Sequence, residues 1–101
     1  MRFTEFDLSK PLQEAIRALE YEETTPIQTQ AIPPALQRRD IVGCAQTGTG
    51  KTLAFLIPAL DRLLRDRAKP KNPRVLILEP TRELVIQVAG EARKLAARTS
   101  L

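Results

Sequence analysis

Histidine and tryptophan are missing from this chain, and cysteine occurs once, as Cys44. These gaps exclude intramolecular disulfides, Cys/His zinc sites, Ser-His triads and Cys-His nucleophiles, so any chemistry has to run on phosphate, metal ions and carboxylates. Cys44 lies in an apolar stretch, where a buried thiol with no disulfide-linked partner is expected. No apolar run approaches the ~20 residues needed to cross a bilayer, and the opening MRFTEFDLSK lacks the apolar core of a secretory signal. The expected setting is therefore cytoplasmic, without membrane attachment. With 101 residues, 43% of them apolar and 28% charged, the chain makes at most one small domain. Such a domain buries only ~65% of its unfolded surface, which leaves a marginal core.

Charge is distributed unevenly. Residues 1–30 carry six acids and three bases, whereas residues 31–101 carry six acids and thirteen bases. The basic part suits a polyanionic partner, although Arg62, Arg65, Arg67, Lys69, Lys71 and Arg74 also read as a solvated helix end and loop.

The apolar pattern divides the chain into a helical region over 1–38 and an alternating strand-helix-strand-helix region over 39–101. Ser9 is placed to cap a helix over 10–20, with Leu12, Ala15, Ile16 and Leu19 on one face. Thr25-Pro26 opens a second helix, which Pro33-Pro34 should end or sharply redirect because two successive N–H donors are lost, with a short helical turn resuming through Leu36. Asp40 to Ala45 and Arg74 to Glu79 read as strands buried on both faces, as in a parallel sheet. Between them, Leu53, Leu56, Ile57, Leu60, Leu63 and Leu64 stripe a helix over about 51–66, with a kink expected at Pro58. A structureless loop is expected over 69–73. Thr81 is placed to cap a last helix whose inner face carries Leu84, Val85, Val88, Ala92, Leu95 and Ala96. This order implies an α/β fold of parallel strands with flanking helices. Two strands are too few for a finished sheet, so the chain reads as the front part of a larger one.

Chemistry concentrates at Ala45-Gln46-Thr47-Gly48-Thr49-Gly50-Lys51-Thr52. Gly48 and Gly50 permit backbone angles that aim successive N–H groups at one anion, at the positive end of the following helix. Lys51 adds a cation for the β and γ phosphates, and the Thr52 hydroxyl is placed to ligate Mg²⁺. A nucleoside triphosphate is the expected ligand, with Ala45 standing where the general pattern has glycine. Upstream, Tyr21 to Gln28 offers an aromatic ring to stack on a base and an amide that donates and accepts at once, as the adenine edge requires.

Taken with Pro80-Thr81-Arg82-Glu83-Leu84, these stretches resemble the DEAD-box family of ATP-dependent RNA helicases over essentially the whole chain. The resemblance implies an incomplete, RecA-like ATP-binding domain over 1–101, which in the full-length protein couples ATP binding and hydrolysis to RNA duplex unwinding. It implies that Thr25 and Gln28 belong to a Q motif, that Tyr21 stacks on adenine, and that Phe3, seventeen residues before Glu20, packs beside it. Gln46 to Thr52 correspond to motif I, with Lys51 and Thr52 in the catalytic role. Pro80, Thr81 and Arg82 correspond to motif Ia and face the RNA sugar-phosphate backbone. Glu20 departs from the family pattern, which has glycine before the aromatic. The implied partners are RNA and the remainder of the helicase core. Residues 1–101 stop before the Asp-Glu-Ala-Asp and Ser-Ala-Thr motifs and the second RecA-like domain, so by themselves they are expected to be inactive. Two alternatives remain: a non-catalytic nucleotide-binding fragment, or another P-loop ATPase in which Glu79, ending the run Val75 to Leu78, is the Mg²⁺-side acid.

Overall fold

The computed structural model describes residues 1–46, 48, 50–66 and 72–101. Arg67, Lys69, Lys71 and most of the loop expected over 69–73 therefore lie outside the described residues. Four helices carry the architecture: α1 (Lys10–Ala18), α2 (Pro26–Leu36), α3 (Lys51–Arg65) and α4 (Arg82–Ala96), preceded by a short 3₁₀ turn over Phe3–Glu5.

Helix α1 starts with Pro11 in its first turn, where the missing N–H costs nothing. The Ser9 hydroxyl makes no capping bond, contrary to expectation; its backbone N–H instead donates to Asp61 Oδ1 at 2.7 Å. The helix stops at Ala18, two residues earlier than the periodicity suggests. Glu20 adopts φ +63°, its N–H bonds the Arg17 carbonyl at 2.9 Å, and the Tyr21 N–H reaches back to the Ile16 carbonyl at 3.2 Å. That double closure is a Schellman motif, whose left-handed position favours glycine. It is the position at which the family pattern has glycine and this chain has Glu20.

Helix α2 corrects the expectation at Pro33-Pro34, since it runs through both to Leu36. Proline removes its own N–H and crowds the carbonyl four residues back, here those of Thr29 and Gln30, and both prolines fall in the final turns. The helix then closes as α1 does. Arg38 at φ +65° donates its N–H to Ala35 O, and the Arg39 N–H donates to Pro34 O. Helix α3 likewise continues through Pro58. Helix α4 begins as expected, the Thr81 hydroxyl oxygen accepting the Leu84 N–H at 3.2 Å.

The core lies where α2 packs on α3 and where α1 and α3 meet α4. Leu12, Ile32, Ile57 and Leu95, one from each helix, are fully buried. Each contributes about 1.5–3 kcal/mol through removal of apolar surface from water. On α4 only Val88 and Leu95 are buried. Leu84 and Val85, expected on the inner face, are exposed.

The segments expected as buried parallel strands differ most. Among the described residues no strand ladder forms, and the one β pairing is an isolated antiparallel bridge between Arg2 and Glu23. Val42 is 95% exposed, Leu76 and Leu78 are each 82% exposed, and Cys44 is exposed where a buried thiol was expected. A parallel strand satisfies its N–H and C=O groups only through neighbours on its edges, and its two apolar faces are hidden only once a sheet exists. Neither segment finds such neighbours among the described residues, so both stay open.

Candidate functional site

Gly50 is the N-cap of α3 with φ +84°, and Gly48 has φ +82°. Both angles lie in the region that L side chains avoid. At Gly50 a side chain is excluded twice, because a Cβ there would collide with the Gln28 amide and lie 3.1 Å from Thr25 Oγ1. The loop therefore brings its backbone hard against the start of α2. Gln28 is 3% exposed and spans the junction: its Oε1 accepts the Thr25 N–H at 2.9 Å and its Nε2 donates to the Gly50 carbonyl at 3.1 Å. The amide expected to read adenine thus latches its own stretch to the phosphate loop. One lone pair and one N–H remain for a base.

The N-terminal segment arrives beside this junction through backbone pairing. Phe3 N–H donates to Glu22 O at 3.0 Å, Thr24 N–H to Met1 O at 2.9 Å, and Thr24 Oγ1 adds a 2.8 Å bond to the same carbonyl. Phe3 is buried, with its ring centroid 6.1 Å from that of Tyr21 at 47° and 6.1 Å from that of Phe6 edge to face. Such separations suit aromatic contact. Tyr21 is half-buried, and its hydroxyl donates to Glu91 Oε2 of α4 at 3.5 Å. Its pKa is raised, first by burial, then by the Glu91 charge, then by that hydrogen bond.

These groups share one cavity of about 660 Å³. Gly48, Gly50 and Thr52 line it from the loop and α3, while Phe3, Tyr21, Thr25 and Gln28 line it from the other side. Thr25 Oγ1 is buried without a hydrogen-bond partner. Lys51 and Gln46 are exposed and outside the lining, and Thr47 and Thr49 lie outside the described residues. Pro80, Thr81 and Arg82 are exposed at the start of α4, away from the cavity. Thr52 supplies a hard oxygen suited to Mg²⁺. Among the described residues there is no cluster of three or more His, Cys, Asp and Glu able to hold a metal ion. Glu79 is half-buried and does not line the cavity.

Two features escaped the sequence reading. One wall of the cavity comes from α4, through Gln87, Gly90, Glu91 and Lys94. Their i, i+3, i+4, i+7 spacing was visible, but nothing local says what that polar face meets. The other is Asp61, 4% exposed on α3, which tethers Ser9 and pairs with Arg65 at 2.9 Å. An acid among Leu53, Ile57, Leu60 and Leu64 on the inner stripe was its available signal.

Comparison with known proteins identifies the family. The DEAD/DEAH box helicase family model matches residues 25–101. The chain is 52% identical over 101 residues to the ATP-dependent RNA helicase SrmB of Haemophilus influenzae, covering 99% of this chain and 23% of that protein. It is 52% identical over 100 residues to SrmB of Escherichia coli, covering 98% and 22%. Among solved structures it superposes on the RNA helicase Prp28 from Chaetomium thermophilum bound to ADP with a TM-score of 0.90 at 46% identity, covering 99% of this chain and 25% of that one. A DEAD box protein from Methanococcus jannaschii follows at TM-score 0.84 and 42% identity, covering 94% and 25%. The chain thus spans about a quarter or less of the length of these relatives. With most of its residues matched by the family model and half of them identical to helicase relatives, the chain belongs to the DEAD/DEAH box helicases.

Proposed function

We propose that residues 1–101 form the nucleotide-binding front part of the first RecA-like domain of an ATP-dependent RNA helicase. The observation that carries this reading is the single cavity in which a glycine-rich loop at a helix N-terminus meets an aromatic pair and a glutamine latched to that loop. A nucleotide has those two ends, an anionic phosphate chain and a flat base.

In this reading the backbone N–H groups around Gly48 and Gly50 and the positive end of α3 receive the phosphates, and Lys51, opening the helix, turns toward them as a mobile cation. The Thr52 hydroxyl holds Mg²⁺; when bound, the ion neutralises charge on the phosphoryl oxygens. Phe3 and Tyr21 supply apolar ring surface to the base. Thr25 Oγ1 and the remaining capacity of Gln28 address its polar edge, which favours adenine over guanine because guanine presents a carbonyl where adenine presents an amine. Thr81 and Arg82 bind RNA phosphate: the Thr81 oxygen already accepts the Leu84 N–H, so its own proton is available to donate, and Arg82 is exposed. The segments 40–45 and 74–79 are parallel strands once neighbouring strands of the complete sheet pair with them. The placement of Glu79 outside the cavity weighs against the reading in which it is the acid of a different ATPase.

Competition for a fluorescent ADP analogue tests the assignment. ATP should displace the analogue far better than GTP, Lys51→Ala should weaken all nucleotides, and Gln28→Ala should erode the adenine preference. Equal displacement by ATP and GTP would sink the base assignment, and unchanged affinity in Lys51→Ala would sink the phosphate assignment.

A further inference from the structure

We propose that α4 forms the nucleoside wall of the cavity, with Gly90 leaving the space that the base occupies and Glu91 holding the Tyr21 ring in its stacking position. The proposal rests on the nucleotide reading and deepens it, because it assigns base recognition to a helix remote in sequence from the loop and the Tyr21–Gln28 stretch.

Three observations carry it. Gly90 lines the cavity, and a Cβ built there meets no atom within 4 Å, so any larger side chain at this position grows into open volume. A glycine inside a helix weakens it relative to alanine, and no packing contact here calls for glycine, whereas a base lying against the helix would. Glu91, one residue on, is the hydrogen-bond partner of the Tyr21 hydroxyl across seventy residues of chain, and its other oxygen lies 3.7 Å from Lys94 Nζ. Tyr21 is thereby fixed at two places: its ring against Phe3 and its tip on α4. Gln87, Gly90, Glu91 and Lys94 fall on one face of the helix, so the whole face turns toward the cavity together. The charged residues lining the cavity with Tyr21 are Glu23, Glu91 and Lys94. Because Thr81 and Arg82 begin the same helix, the element proposed to meet RNA phosphate at one end presses on the base site with its other half.

ADP and inorganic tripolyphosphate distinguish the two ends of the cavity when their affinities are measured on the 101-residue chain and its variants. Gly90→Leu should lower ADP affinity by about tenfold or more while leaving tripolyphosphate within about twofold, because it fills base volume only. Gly90→Ala, which adds one methyl group toward the base, should lower ADP affinity by about threefold, less than Gly90→Leu. Glu91→Ala should lower ADP affinity about fivefold, and Glu91→Gln should restore most of it because an amide oxygen still accepts the phenol proton. Tyr21 is the sole tyrosine and tryptophan is absent, so the near-ultraviolet phenolate band reports its ionisation alone. Both Glu91 variants should bring that titration down toward the ordinary tyrosine value. Unchanged ADP affinity in Gly90→Leu and Glu91→Ala, or equal losses for ADP and tripolyphosphate, would overturn the proposal while leaving the nucleotide reading in place. A wild-type chain that bound neither probe would remove both.

Discussion

Replacing Asp61, a charged residue buried on the inner face of α3, should destabilise the fold markedly. Its carboxylate is buried on α3, accepts the Ser9 N–H at 2.7 Å and pairs with Arg65 Nε at 2.9 Å. Arg65 Nη2 in turn donates to the Asp7 carbonyl at 3.1 Å, so Asp61 and Arg65 together pin the 7–9 segment to the helix that begins at the phosphate loop. The Ser9 bond is charge-assisted and its donor is left without an acceptor once the carboxylate is gone, a loss of about 1.5–3 kcal/mol. The Arg65 guanidinium is half exposed, so solvent screening reduces its share to at most about 1 kcal/mol. Relief from burying a carboxylate offsets about 1 kcal/mol of the total. The last two contributions roughly cancel, so Asp61→Ala should cost about 1.5–3 kcal/mol, a large part of the about 5–15 kcal/mol available to a domain. Asp61→Asn, which keeps an acceptor for Ser9, should cost about half as much. In urea, with a slope near 1 kcal/mol per molar for a chain of this size, the Asp61→Ala midpoint should fall by about 1.5–3 M. Tyr21 fluorescence follows the transition, and hydrogen exchange at the Ser9 amide reads the bond itself. An Asp61→Ala midpoint within about 0.5 M of the wild type, or a Ser9 amide equally protected in both, would refute the tether.

Gly50→Ala should lose nucleotide binding and cost about 2 kcal/mol or more, because a methyl group there meets both a left-handed backbone and the Gln28 amide; tight ADP binding by a folded variant would disprove the close approach. The raised Tyr21 pKa sets an alkaline limit: its stabilisation is complete below the unfolded value of about 10 and is lost as pH rises through the higher folded value. The denaturation midpoint should accordingly fall more steeply with phenolate formation in the wild type than over the same range in Tyr21→Phe. Residues 1–101 by themselves should show no RNA-stimulated ATP hydrolysis, since Glu79 lies outside the cavity and an arginine finger alone is worth about 10³–10⁵ in rate. Robust phosphate release that Glu79→Gln abolishes would restore the alternative ATPase reading.

What the sequence determined by itself was whatever depends on near neighbours. Four helices follow from apolar spacing, and the Thr81 cap and the glycines of the phosphate loop follow from backbone chemistry within a few residues. The loop, the Tyr21–Gln28 stretch and Pro80 to Leu84 were together enough to recognise the family. The position where the family has glycine and this chain has Glu20 was legible too, and the structure places that residue at φ +63°. Proline punctuation misled at Pro33-Pro34, because its cost is small where few helical bonds remain to be broken.

Only the tertiary structure decided what meets what. The Gln28 latch to Gly50 spans twenty-two residues, the Asp61 tether to Ser9 fifty-two, and the Glu91 contact with Tyr21 seventy. No periodicity encodes a partner at such separations, since a polar residue on a helix face reads the same whether it meets water, a backbone N–H or a cavity. The segments 40–45 and 74–79 mark the opposite limit: their apolar character was plain, but burial belongs to the sheet and not to the strand. Val42, Leu76 and Leu78 stay exposed because no neighbouring strand pairs with their segments among the described residues.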